Sequence, residues 1–212
     1  MPPNARLPRL VLGLALLGAL LTTAGGAPAE TAKAPLAELR EHFTVGGKPV
    51  PPRIFTDFGD GDLADSDDIW LTVNLLSATD SNRYYDEIKT HDTWYKQIRH
   101  DDKSGLDEES SYRYIGMTQN KLLIVVSSFS GGGTGVFYTL HLLDAAIVPG
   151  FDNDGKTYDR LALTNLRSLA LGDRWVGSVT IKGNRVTIVS APNQATNPDS
   201  KDKITSFEAR RP

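Results

Sequence analysis

LLIVVSSFSGGGTGVFYTLHLL, residues 122–143, carries two apolar arms on either side of SGGGTG (130–135), in which four of six residues are glycine. The arms are rich in β-branched and aromatic side chains, and the glycines end any helix between them. This stretch reads as a β-hairpin. Its arms are apolar almost without alternation, as expected of central strands buried on both faces. Working outward, further short runs of this kind are IWLTVNLL (69–76), TWYKQIR (93–99) and YRYIGMT (112–118), then YDRLALTN (158–165), RSLALG (167–172), VGSVTIKG (176–183) and NRVTIVS (184–190). The last two meet at Lys182-Gly183-Asn184, where Gly or Asn supplies the positive φ of a tight hairpin. Consecutive strands with short turns predict antiparallel pairing. The expected fold is mainly β, a single antiparallel sandwich or barrel with a short N-terminal helix, and the sequence does not choose between sandwich and barrel.

Leu36, Leu39 and Phe43 recur at helical spacing and define that helix, with Pro35 at its start and VGGKPVPP as its stop. LALTNLRSLAL (161–171) has leucines at 163, 166 and 169 and admits a helical alternative, but its β context favours a strand. The polar tail is expected to be a loop with one edge strand around Ile204 to Phe207.

The first residues read as an address. Arg6 and Arg9 precede LVLGLALLGALL, and Ala27-Pro28-Ala29 fits the A-x-A cleavage pattern of a signal peptide. Residues 1–29 are assigned to the signal, 30–35 to a disordered leader and 36–212 to one β-rich domain. The apolar run of twelve residues is short of the ~20 that cross a bilayer, so no membrane insertion is expected after cleavage. The expected location is periplasmic or extracellular. The remaining chain carries 21 basic and 26 acidic residues, a poor match to nucleic acid. It has no cysteine, which rules out thiolate catalysis and thiolate metal sites.

RIFTDFGDGDLADSDDIWLTV, the 122–144 hairpin and FDNDGKTYDRLALTNLRSLALGDRWVGSVTIKGN together resemble a group of exported bacterial proteins of unknown function. The resemblance implies export and one compact domain. It implies no substrate, cofactor or catalytic residue.

FTDFGDGDLADSDDIW (55–70) holds six aspartates between Asp57 and Asp68. Calcium takes six to eight oxygens, and Asp60, Asp62, Asp65 and Asp67 are candidate ligands. Measured from Asp60, however, Ala64 stands at position five, Asp65 at six and Leu71 at twelve, so the EF-hand pattern fails. FDNDGKTYD (151–159) offers Asp152 and Asp154 before Gly155, but Gly150 and Leu161 occupy both ends of the calcium pattern. A solvated turn is the preferred reading of both stretches, with calcium as the candidate ion.

SGGGTG lacks the Lys-Ser/Thr ending of a phosphate loop and leads into a strand, so it reads as a hairpin tip. His42, His91, His100 and His141 form no metal-binding pair by spacing. His91 and His100 stand beside Asp92 and Asp101, a faint zinc pattern better read as surface residues. Ser127, Ser128 and Ser130 lie in no G-x-S-x-G elbow. Tyr84, Tyr85, Trp94, Tyr95, Tyr112 and Tyr114 cluster within 31 residues. Among them Tyr84, Tyr85, Trp94 and Tyr95 are candidates for stacking on a carbohydrate or an envelope protein, set against packing in a core. Trp70 and Trp175 are expected in the core. No complete catalytic motif is present and no catalytic residue is nominated. The expectation is a non-enzymatic binding or structural domain, with calcium as its one candidate cofactor. A small hydrolase using carboxylates of the 57–68 loop is the alternative.

Overall fold

The computed structural model describes residues 29–58, 71–75, 87–102, 105–192 and 201–212. Helix α1 (Ala29–His42) is followed by the short strands β1 (Thr44–Val45) and β2 (Lys48–Pro49) and by the one-turn helix α2 (Ile54–Asp57). The strands β3 (Leu71–Asn74), β4 (Lys89–His91), β5 (Trp94–Asp101), β6 (Leu106–Met117), β7 (Leu123–Ser130), β8 (Phe137–Phe151) and β9 (Thr157–Asp173) form one sheet. Its order is β3-β9-β8-β7-β6-β5-β4, every neighbour is antiparallel, and it curls into a half-barrel. Strands β10 (Gly177–Lys182), β11 (Arg185–Ser190) and β12 (Lys203–Glu208) form a second antiparallel sheet. The mainly β, antiparallel architecture with its N-terminal helix is the one the sequence predicts.

The apolar run of β7 has its explanation in the packing. Leu123 and Val125 join Leu39, Phe43, Ile54, Phe55, Tyr112 and Leu143 on one face, beneath α1 and α2. Leu122, Ile124 and Val126 join Leu140, Leu142, Val186 and Ile188 on the other, beneath the three-stranded sheet. All five residues from Leu122 to Val126 are fully buried. Each contributes on the order of 2 kcal/mol by leaving water. The sheet thus has one helix-covered and one sheet-covered face.

The described sheet carries three register shifts, at Leu166 and Leu171 in β9 and at Tyr114–Gly116 in β6, and the first and last of these bear on the local reading. The segments 158–165 and 167–172 are not two strands but one, β9: Leu143 pairs with Asn165 and Leu142 with Arg167, leaving Leu166 as the extra residue. The extra residue shifts the alternation, so Leu163 lies on the helix-covered face while Leu166 and Leu169 pack on the sheet-covered face. That break in period two produced the three-residue leucine spacing that imitates a helix. In β6 the shift falls between Tyr114 and Gly116, where Gly116 takes φ +144°, a conformation open to glycine.

The helix also departs from expectation. It starts at Ala29 and contains Pro35 inside, so the stretch 30–35 assigned to a disordered leader is helical. Ala, Glu and Lys in that stretch are strong helix formers, which offsets the missing proline N–H. Tyr114 Oη donates to the Arg40 carbonyl at 2.8 Å, and an Arg40 guanidinium N–H donates to the Ala145 carbonyl at 3.0 Å, fixing α1 to the sheet. Residues 1–28, all but the last residue of the segment read from sequence as a signal peptide, lie outside the described residues. The hairpin at Gly183-Asn184 forms as expected, with Lys182 opposite Arg185 and Gly183 at φ +64°. The edge strand expected near Ile204 is β12.

Candidate functional site

On the helix-covered face the apolar packing stops short of the β7–β8 turn. Past Val125 the strand continues as Ser127 and Ser128, and across from them β8 begins with Phe137, Tyr138 and Thr139. A pocket of about 240 Å³ opens here between α2 and the sheet. Pro52, Phe55, Phe129 and Phe137 supply apolar walls, and Thr56, Ser110, Ser127, Ser128 and Thr139 supply hydroxyl-bearing positions. Among the described residues no acidic or basic side chain lines it. Thr56 and Ser110 hydroxyls lie 3.1 Å apart and share a hydrogen bond that ties α2 to β6 at the rim. The Arg53 backbone N–H donates to Gln97 Oε1 at 3.2 Å, holding the start of α2 in place.

Behind Ser127 stands His141, fully buried between the rings of Phe55 (5.1 Å between centroids) and Phe58 (6.2 Å). Its Nε2 is 2.8 Å from Ser127 Oγ, and its Nδ1 is 3.0 Å from Ser168 Oγ. Asn165 Nδ2 donates to Ser168 Oγ at 2.9 Å and reaches the Phe58 carbonyl at 3.4 Å. The β9 bulge makes this cluster, because the extra residue Leu166 returns Ser168 to the same face as Asn165. Burial drives the imidazole down to about 3, against a smaller upward push from nearby Asn165, so His141 is neutral at physiological pH. The Asn165 Oδ1 is buried and makes no hydrogen bond.

Ser127 and His141 stand at hydrogen-bonding distance, as in a nucleophile–base pair, but the chemistry differs. A general base works best with a pKa near the operating pH, and the triad imidazole is oriented by a carboxylate at Nδ1. Here Nδ1 meets a serine hydroxyl and the imidazole titrates near 3. The geometry therefore offers Ser127 as a positioned hydroxyl rather than an activated nucleophile.

Those candidate metal and stacking residues singled out from sequence that the structure describes do not come together at this pocket. Asp60, Asp62, Asp65, Asp67, Tyr84, Tyr85 and Trp70 lie outside the described residues. Asp152 and Asp154 occupy the exposed β8–β9 turn. Asp152 Oδ1 accepts from the backbone N–H groups of Asp154 (3.0 Å) and Lys156 (2.8 Å), and Gly155 takes φ +77°. This is the geometry of a side-chain-closed turn. Among the described residues no three His, Asp or Glu side chains gather as metal ligands. His91 and His100 instead meet single carboxylates on the surface, Asp92 at 3.3 Å and Asp107 at 2.9 Å.

Trp94 and Tyr95 point to opposite faces of the sheet. Tyr95 packs on Tyr112 in the helix-covered core, with ring centroids 5.3 Å apart. Trp94 packs in the sheet-covered core against Tyr138 and carries the Arg113 guanidinium over its ring at 5.3 Å. They do not form one stacking platform. Trp175 joins the same core as expected, donating its Nε1–H to Ser190 Oγ at 2.8 Å. The Gly-rich tip is closed by Asp173 and Arg174: Val136 N–H donates to Asp173 Oδ1 at 2.8 Å, and Arg174 binds the Thr134 carbonyl. A carboxylate therefore holds a backbone N–H that a phosphate would need.

The chain matches no family model, no curated protein and no solved structure. The pocket and its serine–histidine cluster were missed in the sequence. Their one signal was polar residues inside an apolar hairpin, SS at 127–128 and His141, since buried polar groups require partners.

Proposed function

We propose that this chain is an exported, non-enzymatic binding domain, and that the serine-floored pocket beside α2 is its binding site. The observation that carries the reading is a concave, largely apolar pocket with several hydroxyls and, among the described residues, no charged side chain. Such a composition suits a small neutral ligand held by ring contacts and a few hydrogen bonds. The volume is below the ~300–1,000 Å³ typical of drug-sized ligands, so the occupant is a single ring or a short chain. The neutral, buried His141 supports binding over catalysis. The leader and the resemblance to exported proteins support the assignment to the periplasm or the medium.

Saturation-transfer NMR against a library of small neutral and charged compounds tests the site. Neutral compounds are expected to bind, with backbone shift changes at Thr56, Ser110, Ser127 and Thr139. Binding that moves only residues outside this group overturns the assignment. Expression of the full chain in a bacterial host, followed by fractionation and N-terminal sequencing, tests export, with Glu30 as the expected new N-terminus.

A further inference from the structure

The cluster behind the pocket has a direction, and the direction selects a ligand. The Phe58 carbonyl can only accept, so its contact with Asn165 fixes the amide with Nδ2 toward Phe58 and Ser168. Ser168 Oγ therefore accepts from Asn165. Its own O–H has one remaining neighbour, His141 Nδ1 at 3.0 Å. Donation there pairs the Ser168 proton and leaves the free one on Ser127, which lines the pocket; the opposite direction would strand it on Ser168, away from the pocket, at about the cost of a lost hydrogen bond. A neutral imidazole carries one N–H, and with Nδ1 accepting, that N–H is on Nε2 and points at Ser127 Oγ, 2.8 Å away. Ser127 is thus the acceptor in this pair. Among the described residues its O–H has no other partner, and Ser127 lines the pocket.

We infer that Asn165, Ser168 and His141 form a one-way hydrogen-bond relay that presents the Ser127 O–H as a donor, so that the pocket takes a small neutral ligand bearing a carbonyl or ether oxygen. This rests on the reading of the pocket as a binding site. The apolar walls from Phe55, Phe129 and Phe137 favour a ring or acyl body on that ligand. Carboxylates are disfavoured, because among the described residues no cation lines the pocket to compensate their lost hydration. Asn165, Ser168 and His141 are positioning residues, and Ser127 is the group that touches ligand.

Two measurements on the whole purified protein test the two levels separately. Long-range ¹H–¹⁵N correlation spectra of the imidazoles read the His141 tautomer without any ligand. The expected result is an Nε2–H tautomer that does not titrate between pH 5 and 8. An Nδ1–H tautomer overturns the relay and leaves the pocket reading standing. Ligand-observed NMR with acetophenone, ethylbenzene and benzoate then probes the site. Acetophenone is expected to bind best, about tenfold over ethylbenzene, and benzoate least. Ser127→Ala should remove the preference for acetophenone and retain ethylbenzene binding, whereas Ser127→Thr should restore the preference. Equal binding of acetophenone and ethylbenzene overturns the donor role of Ser127 alone. Failure of all three probes overturns the pocket reading and the ligand class with it.

Discussion

On the sheet-covered face, Leu122, Ile124 and Val126 join Val186 and Ile188 in one apolar cluster that reaches Trp94, Tyr138 and Trp175, with the Arg113 and Arg167 guanidinium groups over the rings of Trp94 and Phe207. On the helix-covered face the same strands begin alike, with Leu123, Val125 and Leu143, then place His141, Ser127 and Ser168 where the next apolar layer would be. The first face is finished as a core, while the second ends in a polar cluster with a pocket beyond it. A buried polar cluster costs desolvation and returns it only when every member is paired. The sheet-covered face buries only the simple hydroxyl pair of Ser111 and Ser128 at 2.6 Å, whereas the helix-covered face aligns an imidazole, an amide and two hydroxyls behind a pocket.

Acid separates the two faces most strongly. The folded pKa of His141 is depressed from 6.5 to about 3. Between these values the unfolded chain binds a proton that the folded chain does not. Stability is therefore lost as pH falls from 6.5 toward 3, by about 1.4 kcal/mol per pH unit for this group. His141→Gln should cost about 2 kcal/mol at pH 7, through orphaned serine hydroxyls, yet flatten the slope of stability between pH 6 and 4. Urea unfolding of both proteins across that range checks it. Parallel slopes would remove the buried histidine as the acid-sensitive element.

Adjacent side chains of β8 test whether the faces share one cooperative unit. Leu142 packs on the sheet-covered side and Leu143 on the helix-covered side, and both are buried. Leu142→Ala and Leu143→Ala should each cost about 3 kcal/mol. Circular dichroism and tryptophan fluorescence should still report one coincident transition. A two-step transition in either variant would show that the three-stranded sheet unfolds by itself.

A steric prediction belongs to the sheet-covered face. A Cβ at Gly177 would stand 2.1 Å from the Val189 carbonyl oxygen and 2.6 Å from the Trp175 ring. The carbonyl belongs to the paired backbone of β11 and cannot swing aside as a side-chain end would. Gly177→Ala should destabilise by about 2 kcal/mol and shift the Trp175 emission. Unchanged stability would mean that β10 pairs more loosely with β11 than this geometry requires.

Much of this contrast is written locally, and part of it is not. The 122–143 hairpin, the Gly183-Asn184 turn and the β12 edge follow from short-range patterns of apolar, turn-forming and β-branched residues. The β9 bulge does not, because one extra residue changes which face each later side chain takes, and its cause lies in pairing with β8. The candidate site depends on that bulge. Asn165 and Ser168 share a face only across it, and His141 looks in sequence like an isolated polar residue within an apolar strand. Trp94 and Tyr95 show the converse: neighbours in the chain, they are separated by the sheet itself.

The smallest effect concerns how the covering layers are pinned. On the helix side the Glu38 carboxylate accepts from Thr44 Oγ1 (2.7 Å), Gly47 N–H (2.7 Å) and Gly46 N–H (2.9 Å), closing the β1–β2 turn. On the other side Arg211 grips Asp144 through two bonds of 2.8 and 2.9 Å and donates to the Asn120 carbonyl at 2.9 Å. Both pins face water, so Glu38→Gln and Arg211→Ala should each cost about 1 kcal/mol or less at pH 7. Their pH responses differ. The Thr44 hydroxyl, followed by the Gly47 and Gly46 N–H groups, lowers the Glu38 pKa below 4.5. Its contribution is therefore complete above pH 4.5 and is lost as pH falls through the lowered folded value. Wild type and Glu38→Gln should converge in stability as the medium is acidified through the lowered folded pKa, because the carboxyl that distinguishes them becomes protonated there. A gap that persists at low pH would mean that Glu38 holds the turn by shape rather than by its charge.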